Sequence, residues 1–146
     1  MDKTWTVRRA TPSDAAIVAF HRYFGEAAED ALAAYAAWVK PMIGSGEYVG
    51  LLAIDDGPVV GGSGAVLLNW GPTKQSSVAQ LARITNVYTA ESHRKLGIAK
   101  ALTAAVIEQC EQLGVKEFRL GSTDSGRRLY ESLGFKEYPV EMRRMA

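Results

Sequence analysis

The sequence predicts an α/β domain built on one mixed sheet. Three observations predict it. Segments 47–54, 59–70 and 81–89 are apolar, short and separated by turn residues, as strands are. Segment 98–113 carries Ile98, Leu102, Ala105, Val106 and Leu113 at helical spacing and is followed by Gly114, a residue suited to a helix end. Strands and helices alternate along the rest of the chain in the order β-α-α-β-β-β-α-β-α-β(-β), which gives about six to seven strands and about four helices.

The first strand is expected at 4–9, where Trp5 and Val7 alternate with threonines. Thr11, Pro12, Ser13 and Asp14 then read as a helix start, because threonine caps, proline is tolerated in the first turn, and a carboxylate suits the positive end. That helix places Ile17, Phe20 and Phe24 on one face, and Gly25 interrupts it. A second, alanine-rich helix is expected over 26–40, stopped by Pro41. Glu26, Glu29 and Asp30 at its start fit capping and solvation better than a cation-attracting rim. Asp55, Asp56, Gly57 and Pro58 form the turn of a hairpin. Gly61, Gly62 and Gly64 on its return strand mark a bulge or a close backbone approach. A short strand is expected at 117–120, a helix at 125–133 ending at Gly134, and a last strand near 140–144.

The length fits one domain, 1–146, with no linker, repeat or low-complexity tract. Seventeen basic and sixteen acidic residues leave a net charge of +1, so no long-range field is available to hold nucleic acid. Cys110 is the single cysteine, which excludes an intrachain disulfide and agrees with a reducing compartment. The first six residues lack the apolar core of a secretory leader, and no apolar run spans a bilayer. The expectation is a cytoplasmic protein with no membrane association. His21 and His93 have no metal-ligand spacing, so no metal is expected. Cys110, four residues after Val106 on the core side of its helix, reads as a buried structural thiol.

The chemistry concentrates where strand 81–89 runs through a turn into helix 98–113. The first turn of a helix leaves backbone N–H groups unpaired, and the dipole adds positive charge there. A phosphate or pyrophosphate suits such a place. Gly97 and Ala99 keep bulk away, while Arg94 and Lys95 add charge. Neither a nucleotide P-loop nor a dinucleotide fingerprint is present.

Arg94-x-x-Gly97-x-Ala99, followed one helix and one strand later by Leu129-Tyr130-x-x-x-Gly134-Phe135, resembles the GNAT superfamily of N-acetyltransferases. Asn86-Val87-Tyr88-Thr89, Gly126-Arg127 and Glu141-Met142 resemble more narrowly a group of bacterial members of that family. The resemblance implies a GNAT-like fold, acetyl-CoA as co-substrate and an amine as acceptor. It implies that the pantetheine arm pairs with the backbone of Val87, Tyr88 and Thr89. It further implies that the pyrophosphate lies on the turn of Arg94, Lys95, Leu96, Gly97, Ile98 and Ala99. The Val87 N–H would stabilise the oxyanion. Tyr130 matches the tyrosine that protonates the departing thiolate, a role a phenol suits because it stays protonated at neutral pH. A homodimer is a further implication.

Two positions depart from the pattern. Thr123 stands seven residues before the tyrosine, where many members carry asparagine. Strand 81–89 holds no acidic residue, although many members carry a glutamate there as general base. The base remains open between a water relayed by Asn86 or Thr85 and a carboxylate such as Glu29, Asp30 or Glu141. An acyl-CoA sensor without activity is the alternative reading.

Overall fold

The computed structural model describes residues 4–146; Met1, Asp2 and Lys3, part of the segment read above for a leader, lie outside the described residues. Five strands form one sheet in the order β1-β2-β3-β4-β5: β1 (Thr6–Arg9), β2 (Tyr48–Ile54), β3 (Val59–Asn69), β4 (Gln80–Thr89) and β5 (Phe118–Arg119). The first three pairings are antiparallel and β4–β5 is parallel, so the sheet is mixed. Helices α1 (Ala15–Tyr23) and α2 (Glu29–Ser45) pack on β2 and β4. Helix α3 (Ile98–Gln112) packs against β2, β3 and β4, and a short α4 (Arg127–Ser132) follows β5.

The predicted helix start holds. A single 3-10 turn, Pro12–Asp14, leads into α1, and the Thr11 N–H donates to the Asp14 carboxylate at 2.8 Å. Arg8 donates to both oxygens of that carboxylate, at 2.7 and 2.8 Å, which ties β1 to α1. These bonds hold the buried Asp14 carboxyl down at about 2. Phe24 and Gly25 both take positive φ and end α1.

Pro41 does not stop the second helix, which runs on to Ser45 and ends at Gly46 with φ 82°. The carbonyl that loses its helical bond belongs to exposed Ala37. Beyond the proline, Met42 and Ile43 pack against Val39 and Tyr48 in the cluster under α1, and that burial holds the last turn in place. Leu113 is not part of the core stripe; α3 ends at Gln112 and Leu113 lies exposed.

The expected strand near 140–144 is absent among the described residues, so the sheet has five strands rather than six or seven. β5 offers only two paired residues as a template. Pro139 lacks an N–H, and Val140 and Met142, the apolar members of the segment, are exposed.

The three glycines of β3 admit side chains that cross the sheet surface. A Cβ on Gly62 would lie 2.5 Å from His21 Nδ1, and one on Gly61 would lie 2.9 Å from Ile98 Cγ2. A Cβ on Gly64 would collide with the Tyr48 hydroxyl.

Candidate acetyl-CoA and acceptor site

β4 contains a bulge. Gly64 pairs with Thr85 and Gly62 with Tyr88, so Ser63 alone opposes Asn86 and Val87. Asn86 takes φ 58°, a conformation asparagine tolerates better than most residues. The extra residue shifts the alternation of the strand. Ile84 and Val87, three apart, both join the α3 core, while Thr85, Asn86 and Tyr88 face α1 and α2.

The other edge of β4 is paired only at Ala82 and Arg83, with Phe118 and Arg119 of β5. From Thr85 to Thr89 that edge carries no strand partner among the described residues. The chain then enters a 3-10 turn, Glu91–His93, and reaches α3 through Lys95 with φ 63° and Gly97 with φ 81°. The first helical bond of α3 is Ala101 N–H to the Gly97 carbonyl at 3.0 Å. The preceding N–H groups therefore have no partner within the helix.

A Cβ built on Gly97 meets nothing within 4 Å, so no neighbouring atom crowds the turn at that point. Arg94 donates from Nε to the Thr89 carbonyl at 3.2 Å, bracing the turn against the end of β4. Lys95 and Leu96 are exposed. The Ile98 side chain is buried in the α3 core. Val87 likewise packs into that core and Tyr88 stacks on His21, which leaves the backbone of β4 as what these residues can offer.

His93 braces the turn from the other side. Its Nε2 lies 2.7 Å from Asp55 Oδ2 in the β2–β3 hairpin, and its Nδ1 lies 2.7 Å from Ser92 Oγ.

Tyr130 lies on α4, half-buried, with its ring edge-on to Phe135 at 6.1 Å. Burial pushes its phenol up from 10.0. The ring lines an open cleft of about 840 Å³ between β5, α4 and the C-terminal segment; none of residues 94–99 lines that cleft. Thr123 caps the 3-10 turn before α4, exposed, with its hydroxyl 3.1 Å from Ser125 Oγ. Cys110 is fully buried, and burial pushes its thiol up to about 11, the behaviour of a structural residue. Among the described residues no group of three or more His, Cys, Asp or Glu could hold a metal ion. No described helix is long and apolar enough to cross a membrane.

The structure also assembles a group that sequence reading missed. Asn86 Nδ2 donates to the hydroxyls of Tyr35, at 2.9 Å, and Tyr48, at 3.1 Å. Its Oδ1 accepts from Thr85 at 3.1 Å and from Arg22 Nη1 at 3.5 Å. The same Arg22 nitrogen donates to Thr85 Oγ1 at 2.9 Å. Four elements contribute, and only the asparagine inside a strand hinted at it.

Known proteins share this sequence pattern and fold. The sequence model of the Acetyltransferase (GNAT) domain matches residues 10–145. The chain belongs to the GNAT acetyltransferase family. It is similar to a GCN5-related N-acetyltransferase from Ralstonia eutropha, with 27% identity and a TM-score of 0.85 over 97% of this chain and 98% of that one. It is also similar to a predicted acetyltransferase from Clostridium acetobutylicum, solved with acetyl-CoA, at 17% identity and a TM-score of 0.89 over 97% and 96%. An aminoglycoside N-acetyltransferase in complex with CoA shares the fold at 17% identity and a TM-score of 0.76 over 99% and 97%. Among curated proteins no sequence match was found. The family is one of acetyl-CoA-dependent enzymes, and the chain is an acyltransferase with acetyl-CoA as co-substrate. The glycine turn fits that co-substrate, because its open donors and lack of side-chain bulk suit a pyrophosphate.

Proposed function

We propose that this enzyme transfers acetyl from acetyl-CoA to a primary amine by direct attack in a ternary complex. The observation that carries the reading is the unpaired edge of β4 from Thr85 to Thr89, which runs into the donor-rich turn before α3. In this reading Val87, Tyr88 and Thr89 hold the pantetheine arm with their backbone. The N–H groups of Leu96, Gly97, Ile98 and Ala99 hold the pyrophosphate, with charge from Arg94 and Lys95. Thr123 adds a hydrogen bond from the α4 side. Bound acetyl-CoA supplies an activated thioester carbonyl. The Val87 N–H faces the oxygen on which charge develops. Tyr130 Oη, kept protonated by burial, delivers the proton to the leaving sulfur.

The reading takes residues 1–146 as one domain acting in the cytoplasm as a homodimer; light scattering checks the assembly. Its direct test follows CoA thiol release from acetyl-CoA across an amine panel. Turnover that is unchanged in Tyr130→Phe at every pH would remove the tyrosine from the mechanism.

A second reading is an acyl-CoA sensor. It is favoured by one observation: β4 bears no acidic side chain, and Thr85 and Asn86 already bond Arg22. A sensor binds acetyl-CoA in calorimetry yet releases no thiol with any amine.

A further inference from the structure

We propose that Arg22 reads an anionic group on the acceptor, so that the preferred substrate is a small amine that also carries a carboxylate or a phosphate. This rests on the reading that acetyl-CoA lies along β4.

Each arginine paired with a carboxylate among the described residues is accounted for: Arg8 with Asp14, Arg119 with Glu117, and Arg127 with Glu137. Arg22 is not among them, and no carboxylate oxygen comes within 4.0 Å of it among those residues. Its partners are neutral: the Thr85 hydroxyl, the Asn86 amide oxygen and the face of Tyr35, whose centroid lies 4.7 Å from the guanidinium carbon. Both polar contacts use Nη1. Nε and Nη2 make no side-chain hydrogen bond among the described residues. That leaves a planar donor pair of the kind that matches a carboxylate or phosphate bidentately.

The head group is also held in place. Asn86 cannot turn its amide over without putting its NH2 toward Arg22, because Nδ2 already serves two tyrosine hydroxyls. Tyr48 is buried and Tyr35 half-buried, so the platform under the arginine is fixed by packing. Arg22 itself is exposed, as a ligand contact must be. It sits on Thr85 and on the bulge residue Asn86, immediately before Val87, where the proposed thioester site begins. Aromatic side chains surround it: Tyr23 at 5.8 Å, and Trp38 next to Tyr35 at 5.5 Å. A polycation would meet an unneutralised guanidinium there, which costs affinity.

The experiment measures kcat/KM by thiol release for amino acids against their own methyl esters, an amino-sugar phosphate against its dephosphorylated form, and an aminoglycoside. Wild type and Arg22→Gln are compared. The expected result is that one or more acids or phosphates exceed the uncharged counterpart by about ten- to a hundredfold, the ratio expected for a charge-assisted hydrogen-bonded pair. Arg22→Gln should erase that preference through KM. Arg22→Lys should restore part of it. The two arms distinguish carboxylate from phosphate. The proposal is overturned if no acid or phosphate is favoured by wild type, if the aminoglycoside is the best acceptor, or if Arg22→Gln keeps the preference. Calorimetry with acetyl-CoA alone separates the underlying reading: binding is expected in both proteins, and its absence from wild type would sink the β4 cofactor site instead.

Discussion

The imidazole of His21 lies flat against the phenol ring of Tyr88, with centroids 4.6 Å apart and planes 17° from parallel. The contact joins α1 to the segment of β4 that follows the bulge. Phe20 and Phe24 close around the same tyrosine at 5.7 and 5.9 Å. His21 is buried, and desolvation pushes it down from 6.5 to about 4. The unfolded chain therefore binds a proton near pH 6.5 that the folded chain refuses until about pH 4. Stability from this site is complete above pH 6.5 and falls as pH drops toward 4, by on the order of 3 kcal/mol. Urea unfolding from pH 7.5 to 4.5 should show this slope, and His21→Phe should flatten it.

Gly97 combines φ 81° with open space before it, and Gly114 combines φ 94° with open space at the far end of α3. Alanine at either position should cost about 1–2 kcal/mol in backbone strain. Only Gly97→Ala should weaken acetyl-CoA binding in calorimetry. Equal loss of binding in both variants would mean that the turn acts through helix stability alone.

Tyr130→Phe should lower kcat by about a hundredfold, the usual scale of a positioned general acid. Acetyl-CoA affinity should stay the same. Because burial raises the phenol, the alkaline limb of the kcat profile should lie above 10.0 in the wild type and vanish in the variant. Pre-steady-state thiol release checks that the chemical step is the one affected.

Asn86 holds two tyrosine hydroxyls, one on the buried Tyr48. Asn86→Gly keeps the backbone tolerant of φ 58° but removes these bonds. The expected loss is about 1–3 kcal/mol, the cost of an unsatisfied buried hydroxyl. Tyr48→Phe in the same background should recover part of it, as urea midpoints would show.

Much of this was legible in the sequence because the signals are local. The α3 stripe, Gly97 and the Asp55–Pro58 turn each depend on neighbours a few residues away. Pro41 misled because burial of Met42 and Ile43, a tertiary effect, outweighs one lost helical bond. The strand near 140–144 misled because a strand needs an edge to pair with, and β5 supplies two residues. The arginine site was invisible for another reason. Arg22 and Asn86 stand 64 residues apart, and a one-residue bulge leaves no mark in composition.

The β4 bulge adds a side chain to one face of the strand without turning the strand over. Remove Asn86, and Ile84, Thr85, Val87 and Tyr88 would fall into plain alternation, each on the face it already has. Val87 would still enter the α3 core and Tyr88 would still meet His21, but Arg22 and the two tyrosine hydroxyls would lose their amide partner. The extra residue serves one side chain: the amide that seats Arg22 beside the two tyrosines.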